Sequence, residues 1–143
     1  MARHLYIHLK LWINMPKAVV MLSDNDLARA YHALVIALSA KAMGYDVYLF
    51  ATGLGAYVFS KKPRTRLVGL PYLASVYVRW KLRGLGARRL EDLARECLST
   101  GVKVYVDEPV TKMLGLEPLP GVEVAGSLTF LALAKDAELV LTF

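Results

Sequence analysis

Cysteine occurs once in the 143 residues, asparagine twice and glutamine not at all. One cysteine excludes an intramolecular disulfide framework and a cysteine-rich zinc site. No stretch approaches the roughly 20 apolar residues that a membrane-crossing helix needs. The longest uncharged runs, 47–60 and 67–78, are broken by glycine or proline. Residues 1–14 carry Arg3, His4, His8 and Lys10 and lack the apolar centre of a signal peptide, so the expected compartment is the cytoplasm. Scarce Gln and Asn beside plentiful Lys and Arg fit a thermophile. Acidic residues are missing altogether from 53–90, which holds nine of the chain's 18 Lys and Arg.

What is present is largely apolar: 56% of residues, with a mean hydropathy of +0.39. One domain of this length buries about 70% of its unfolded surface. The remaining apolar residues are expected to meet another subunit.

The chain is organised around Lys17 to Gly53. Ala18–Leu22 is an uninterrupted apolar run, as in a parallel strand covered on both faces. Ser23, Asp24, Asn25 and Asp26 are all types that cap a helix N-terminus. Leu27, Ala30, Tyr31, Leu34 and Leu38 then recur as one helical core stripe. Ala33, Ile36, Ala37 and Ala40 fall outside that stripe and read as a second apolar face for a partner. Gly44 suits a left-handed helix stop, and Val47–Ala51 is the next apolar run. This βαβ unit sets the class as α/β.

Around it the expectations are coarser. Residues 1–16 form an N-terminal extension to a domain spanning 17–143. His4 and His8, spaced i and i+4, lack a third metal ligand nearby, so no metal site is expected. Thr52-Gly53-Leu54-Gly55-Ala56 is neither a P-loop nor a full dinucleotide fingerprint and reads as a tight turn. In the basic, helical 61–89 insert, Pro71 would open a helix with the stripe Leu73, Val76, Tyr77 and Trp80. Leu90, Leu93, Ala94, Cys97 and Leu98 mark a further amphipathic helix before Gly101. Val102–Val106 is a strand, Asp107-Glu108-Pro109 caps a short helix, Ser127 caps another, and Leu139–Phe143 is the last strand.

The ordered set KAVVMLSD…ARAYHALVIALSAKAMGYDVYLFATG, GVKVYVDEPVTKMLGL and GVEVAGSLTFLALAKDAELVLTF resembles the DsrE/DsrF-like family over 17–60 and 88–143. The resemblance implies a three-layer α/β/α fold with a mainly parallel sheet of four to five strands, flavodoxin- or Rossmann-like in arrangement. It also implies trimeric or hexameric homo-oligomers, or hetero-oligomers with cysteine-bearing relatives. It implies work in sulfur relay, with persulfide sulfur carried on a cysteine after the third strand. Here the matching position is Asp107. A persulfide carrier needs a thiolate, and a carboxylate cannot form an S–S bond. Cys97 falls on an apolar helix stripe beside Glu96, which favours packing over reactivity.

Three functions follow. The first is a non-catalytic or divergent subunit of a sulfur-relay assembly, with no catalytic residue and no cofactor. Its pocket would lie at the strand C-terminal ends, among Ser23, Asp24, Thr52, Gly53, Asp107 and Glu108. The second is an anion-binding module in which Lys61, Lys62, Arg64, Arg66, Arg79, Arg83 and Arg88 meet nucleic acid or a membrane surface. The third, an enzyme pairing Asp107 with Asp24 as acid and base, has no nucleophile, metal cluster or cofactor fingerprint behind it.

Overall fold

The computed structural model describes residues 15–143; the extension over 1–14 and its two histidines lie outside the described residues. The first half runs β1 (Lys17–Leu22), α1 (Leu27–Ala42), β2 (Asp46–Ala51), a 3-10 segment (Gly53–Phe59) and α2 (Tyr72–Gly84). The second half runs α3 (Leu90–Ser99), β3 (Lys103–Asp107), α4 (Glu108–Leu114), β4 (Glu123–Ala125), α5 (Ser127–Lys135) and β5 (Leu139–Thr142). The five strands make one parallel sheet in the order β4-β3-β2-β1-β5. The expected α/β class with a parallel sheet is therefore the observed one. The three-residue β4 is too short to show a periodicity, and sequence reasoning missed it.

Alternation along the strands separates two layers. Ala18, Val20 and Leu22 of β1 and Val47, Leu49 and Ala51 of β2 join the core under α1 and α3. Phe50 points the opposite way and meets Phe130 of α5, ring centroids 5.5 Å apart. Helix α1 faces the sheet with Ala30, Ala33, Leu34, Ala37 and Ala40, all buried. Here the expectation of a spare apolar face on α1 is corrected. Ala33, Ala37 and Ala40 are core, because their short side chains let α1 lie close to the sheet and to α3. Leu27, Tyr31 and Leu38 are the flanks of that face and only partly buried.

Helix ends follow the local chemistry with three departures. Gly44 (φ +92°) and Gly101 (φ +89°) take the left-handed stops that precede β2 and β3. Pro71 sits at the cap of α2, before its first residue. Gly126, and not Ser127, caps α5. Asp107 occupies the cap position of α4, yet its side chain makes no bond to that helix's N–H groups.

The turn after β2 depends on two glycines. Gly53 has φ +53°, and a Cβ there would lie 2.9 Å from the Ser23 carbonyl oxygen. A Cβ on Gly55 would lie 2.3 Å from the Leu22 carbonyl oxygen, a clash with backbone. The close approach the glycines permit is therefore of chain to chain. Thr52 N–H donates to Leu22 O at 2.9 Å and seals the contact.

Candidate functional site

In a parallel sheet the strand C-termini gather at one edge, and a crevice opens where successive connections diverge. Here the chain steps from β1 through β2 and β3 to β4, then returns to place β5 on the other side of β1. The divergence lies between β1 and β5. Ser23 closes it: its N–H and its Oγ both donate to Phe143 O, each at 2.8 Å.

One step along the edge, Ala51 and Val106 are register partners, so Thr52 and Asp107 follow side by side. Thr52 Oγ1 donates to Asp107 Oδ2 at 3.0 Å. Asp107 O accepts from Thr111 Oγ1 at 2.7 Å, which tightens the first turn of α4. Glu108 stands apart and exposed, paired with Lys112 at 2.6 Å, and that ammonium holds its carboxyl below the usual range. Of the six expected edge residues, Ser23 abuts Gly53 and Thr52 bonds Asp107, while Asp24 and Glu108 turn to other partners.

Asp24 belongs to a strap. Its Oδ1 accepts from Asp26 N–H at 2.9 Å and from Arg66 Nη2 at 3.4 Å. The Asp26 N–H bond chiefly lowers its pKa; burial opposes it, and the Arg66 guanidinium adds to the lowering. Asp26 is buried and is the residue that caps α1, accepting from Arg29 N–H at 3.2 Å. Its second oxygen accepts from Val68 N–H at 2.9 Å. Leu27 N–H donates to Arg66 O at 2.7 Å, Arg66 N–H to Asn25 O at 3.1 Å, and Asn25 Nδ2 to Arg64 O at 3.0 Å. Residues 64–68 are thereby stitched to the start of α1. Nothing in one sequence announces this pairing, because the partners lie about forty positions apart.

The basic residues divide into used and unused. Arg79 donates to Thr65 Oγ1 at 3.1 Å and to Thr65 O at 2.5 Å. Lys61 pairs with Glu117 at 2.9 Å, Arg88 with Glu96, and Arg64 lies over the Tyr57 ring at 5.5 Å. Lys62, Lys81 and Arg83 form no ion pair among the described residues, and Lys81 lies over the Tyr77 ring at 6.0 Å. Of the seven cations named as an anion-binding set, Lys61, Arg64, Arg66, Arg79 and Arg88 therefore have contacts within the chain. Most fasten the insert to its own chain.

Beside the start of α1 the strap and α2 enclose an open cavity of about 520 Å³. Leu27, Leu67, Leu82 and Leu90 give it an apolar lining, with Tyr31 and His32 on one wall and Arg83 on another. His32 is exposed on the surface of α1.

Cys97 is fully buried, its Sγ 3.8 Å from Leu34 O. Burial, with Glu96 adding to it, pushes its thiol pKa up to about 12. Among the described residues there is no metal-ligating cluster, and no helix is long and apolar enough to cross a membrane. The edge thus offers a carboxylate and a hydroxyl bonded to each other, and no thiol. Such a pair orients and accepts hydrogen bonds; it has no sulfur on which to build a persulfide.

Known proteins resemble this arrangement over most of its length. The chain is 22% identical over 153 aligned residues to the sulfur carrier protein DsrE2 of Allochromatium vinosum, covering 87% of this chain and 96% of that protein. The crystal structure of the ychN protein from E. coli superposes with a TM-score of 0.63 at 16% identity, over 89% of this chain and 99% of that one. That likeness shows a shared fold. A profile of the DsrE/DsrF-like family matches residues 17–143, and the chain belongs to that family.

Proposed function

We propose that this protein is a sulfur-relay subunit that does not itself carry sulfur, working in an oligomer with itself or with cysteine-bearing relatives. One domain over 17–143, with the 61–89 segment as an insert, supplies the scaffold. The observation that carries the reading is Asp107 at the end of β3, hydrogen-bonded to Thr52, where the family resemblance leads one to expect the sulfur-bearing cysteine. The chain's sole thiol, Cys97, is sealed in the core and kept protonated at neutral pH. Nucleophilic sulfur chemistry requires an accessible thiolate, and neither condition is met. The edge remains suited to docking, because a rigid strand presents Asp107 beside an exposed Glu108.

The test is to restore the thiol. An Asp107→Cys variant gains a solvent-facing sulfhydryl that alkylates at neutral pH and takes one sulfur atom from a persulfide donor. Failure of that cysteine to react would place the family's working position elsewhere in this chain.

A second reading has its own observation. Lys62, Lys81 and Arg83 are left without ion-pair partners among the described residues, and we infer that such charges meet a polyanion. It is compatible with the first, and its salt dependence distinguishes it.

A further inference from the structure

Helix α2 is mounted with its apolar side outward. Not one of its thirteen residues is buried. Ala74, Ser75, Val78 and Arg79 are its partly covered positions. Leu73, Val76, Tyr77 and Trp80, one stripe at helical spacing, are 79%, 48%, 57% and 69% exposed. Surface helices ordinarily show the reverse arrangement. A contiguous apolar face of this kind marks a contact surface.

Charge decides what covers it. The stripe lies in the segment with nine cations and no acid. Two such stripes meeting face to face would bring like charges together, which costs affinity. The complement is an exposed apolar face in an acidic segment, and the chain carries one. Residues 107–143 hold six acidic residues against two lysines. Within them Leu128 and Leu131 of α5 are 80% and 60% exposed, and Val140, in register with Val19 on the same side of the sheet, is close to half exposed. This is also the sparsely covered side of the sheet. Beneath α1 and α3 the strands are closely packed, whereas the opposite side meets the nine-residue α5 through Phe50 and Phe130.

We propose that the outward stripe of α2 docks on the α5 face of a second copy of this chain, head to tail. The inference rests on the oligomeric part of the function proposed above and says which surfaces make the oligomer. The two surfaces differ, so the contact is heterologous. Every copy uses one of each, and the contact closes a ring where the rotation between copies allows it.

Two double variants test it. Leu73→Glu with Trp80→Glu places acid on the α2 stripe; Leu128→Lys with Leu131→Lys places base on the α5 face. All four positions are exposed, and circular dichroism checks that each variant folds. By light scattering at micromolar concentration the natural chain gives a multiple of 15.9 kDa, and each variant alone gives a monomer. Mixed one to one, the variants form a heterodimer, because one intact surface of each kind remains. Assembly of the α5 variant like the natural chain, or a mixture that stays monomeric, overturns this contact while leaving the oligomer itself standing. A monomeric natural chain overturns the oligomeric reading as well. If that monomer pellets with phosphatidylglycerol vesicles and the Leu73→Glu, Trp80→Glu variant does not, the stripe belongs to a membrane surface and the proposal is wrong.

Discussion

The Thr52 hydroxyl donates a 3.0 Å hydrogen bond to Asp107 Oδ2, joining the ends of β2 and β3 across adjacent register positions. The bond makes Asp107 part of the scaffold at the sheet edge. Thr52→Val removes the donor at nearly constant volume and leaves the partly buried carboxylate short of a partner. Loss of a hydrogen bond to a charged group costs roughly 1.5–3 kcal/mol when both groups are buried. Partial exposure of both residues sets the expected loss near the lower figure. Urea unfolding measures it, and an unchanged midpoint would remove the structural role assigned to Thr52.

The turn after β2 tolerates no side chain at Gly55. A Cβ would sit 2.3 Å from the Leu22 carbonyl oxygen, and neither partner is a flexible side-chain end. Gly55→Ala is expected to destabilise by at least about 2 kcal/mol, the range of overpacked or strained backbone sites. Gly84→Ala, with open space around its Cβ position, is the control and lies inside a helix end where alanine is favoured. Thermal melts of the two variants should move in opposite directions.

Acid should loosen the strap. Asp24 has a lowered folded-state pKa, so its contribution is present above its ordinary value of 3.8 and disappears as pH falls through the folded value. Asp24→Asn removes that contribution at every pH. The gap between the urea midpoints of the natural chain and Asp24→Asn is therefore expected to be open at neutral pH. It should shrink as the pH drops below about 4. A gap that widens in acid would contradict the sign.

The unpaired cations predict how any polyanion binds. A Lys62→Ala, Lys81→Ala, Arg83→Ala variant should lose most low-salt affinity for a single-stranded oligonucleotide and show a shallower salt slope, by about 0.7 unit per phosphate contact removed. Arg79→Ala should affect stability more, since its guanidinium is spent on Thr65. Equal binding by the triple variant and the natural chain, in fluorescence anisotropy across a salt series, would assign the basic segment a purely structural role.

These results also show which parts of the molecule were legible in the sequence. The βαβ unit could be read because an apolar run, a cap and a glycine stop each act within a few residues. The parallel sheet could be read because the succession of elements matched a family. The packing of α1 was misjudged: hydropathy weights Leu and Tyr above Ala, whereas the close approach of helix to sheet selects the small side chains of Ala33, Ala37 and Ala40. The fate of the basic segment was invisible for another reason. Arg66 and Arg79 find their partners through the fold, in Asp24 and Thr65, and no local pattern encodes that. At the edge, sequence alone marked Asp107 as the position of interest, but not that Thr52 would hold its side chain away from α4.

The central claim is that this chain takes part in sulfur relay without carrying sulfur. The direct measurement is the intact mass of the folded natural protein after incubation with a persulfide donor at neutral pH, with the peptide containing Cys97 examined separately. Cys97 is buried and its thiol pKa stands near 12, so the mass is expected to remain that of the unmodified chain. Modification should appear only once denaturant exposes the thiol. A sulfur atom added to Cys97 in the folded protein would contradict the account.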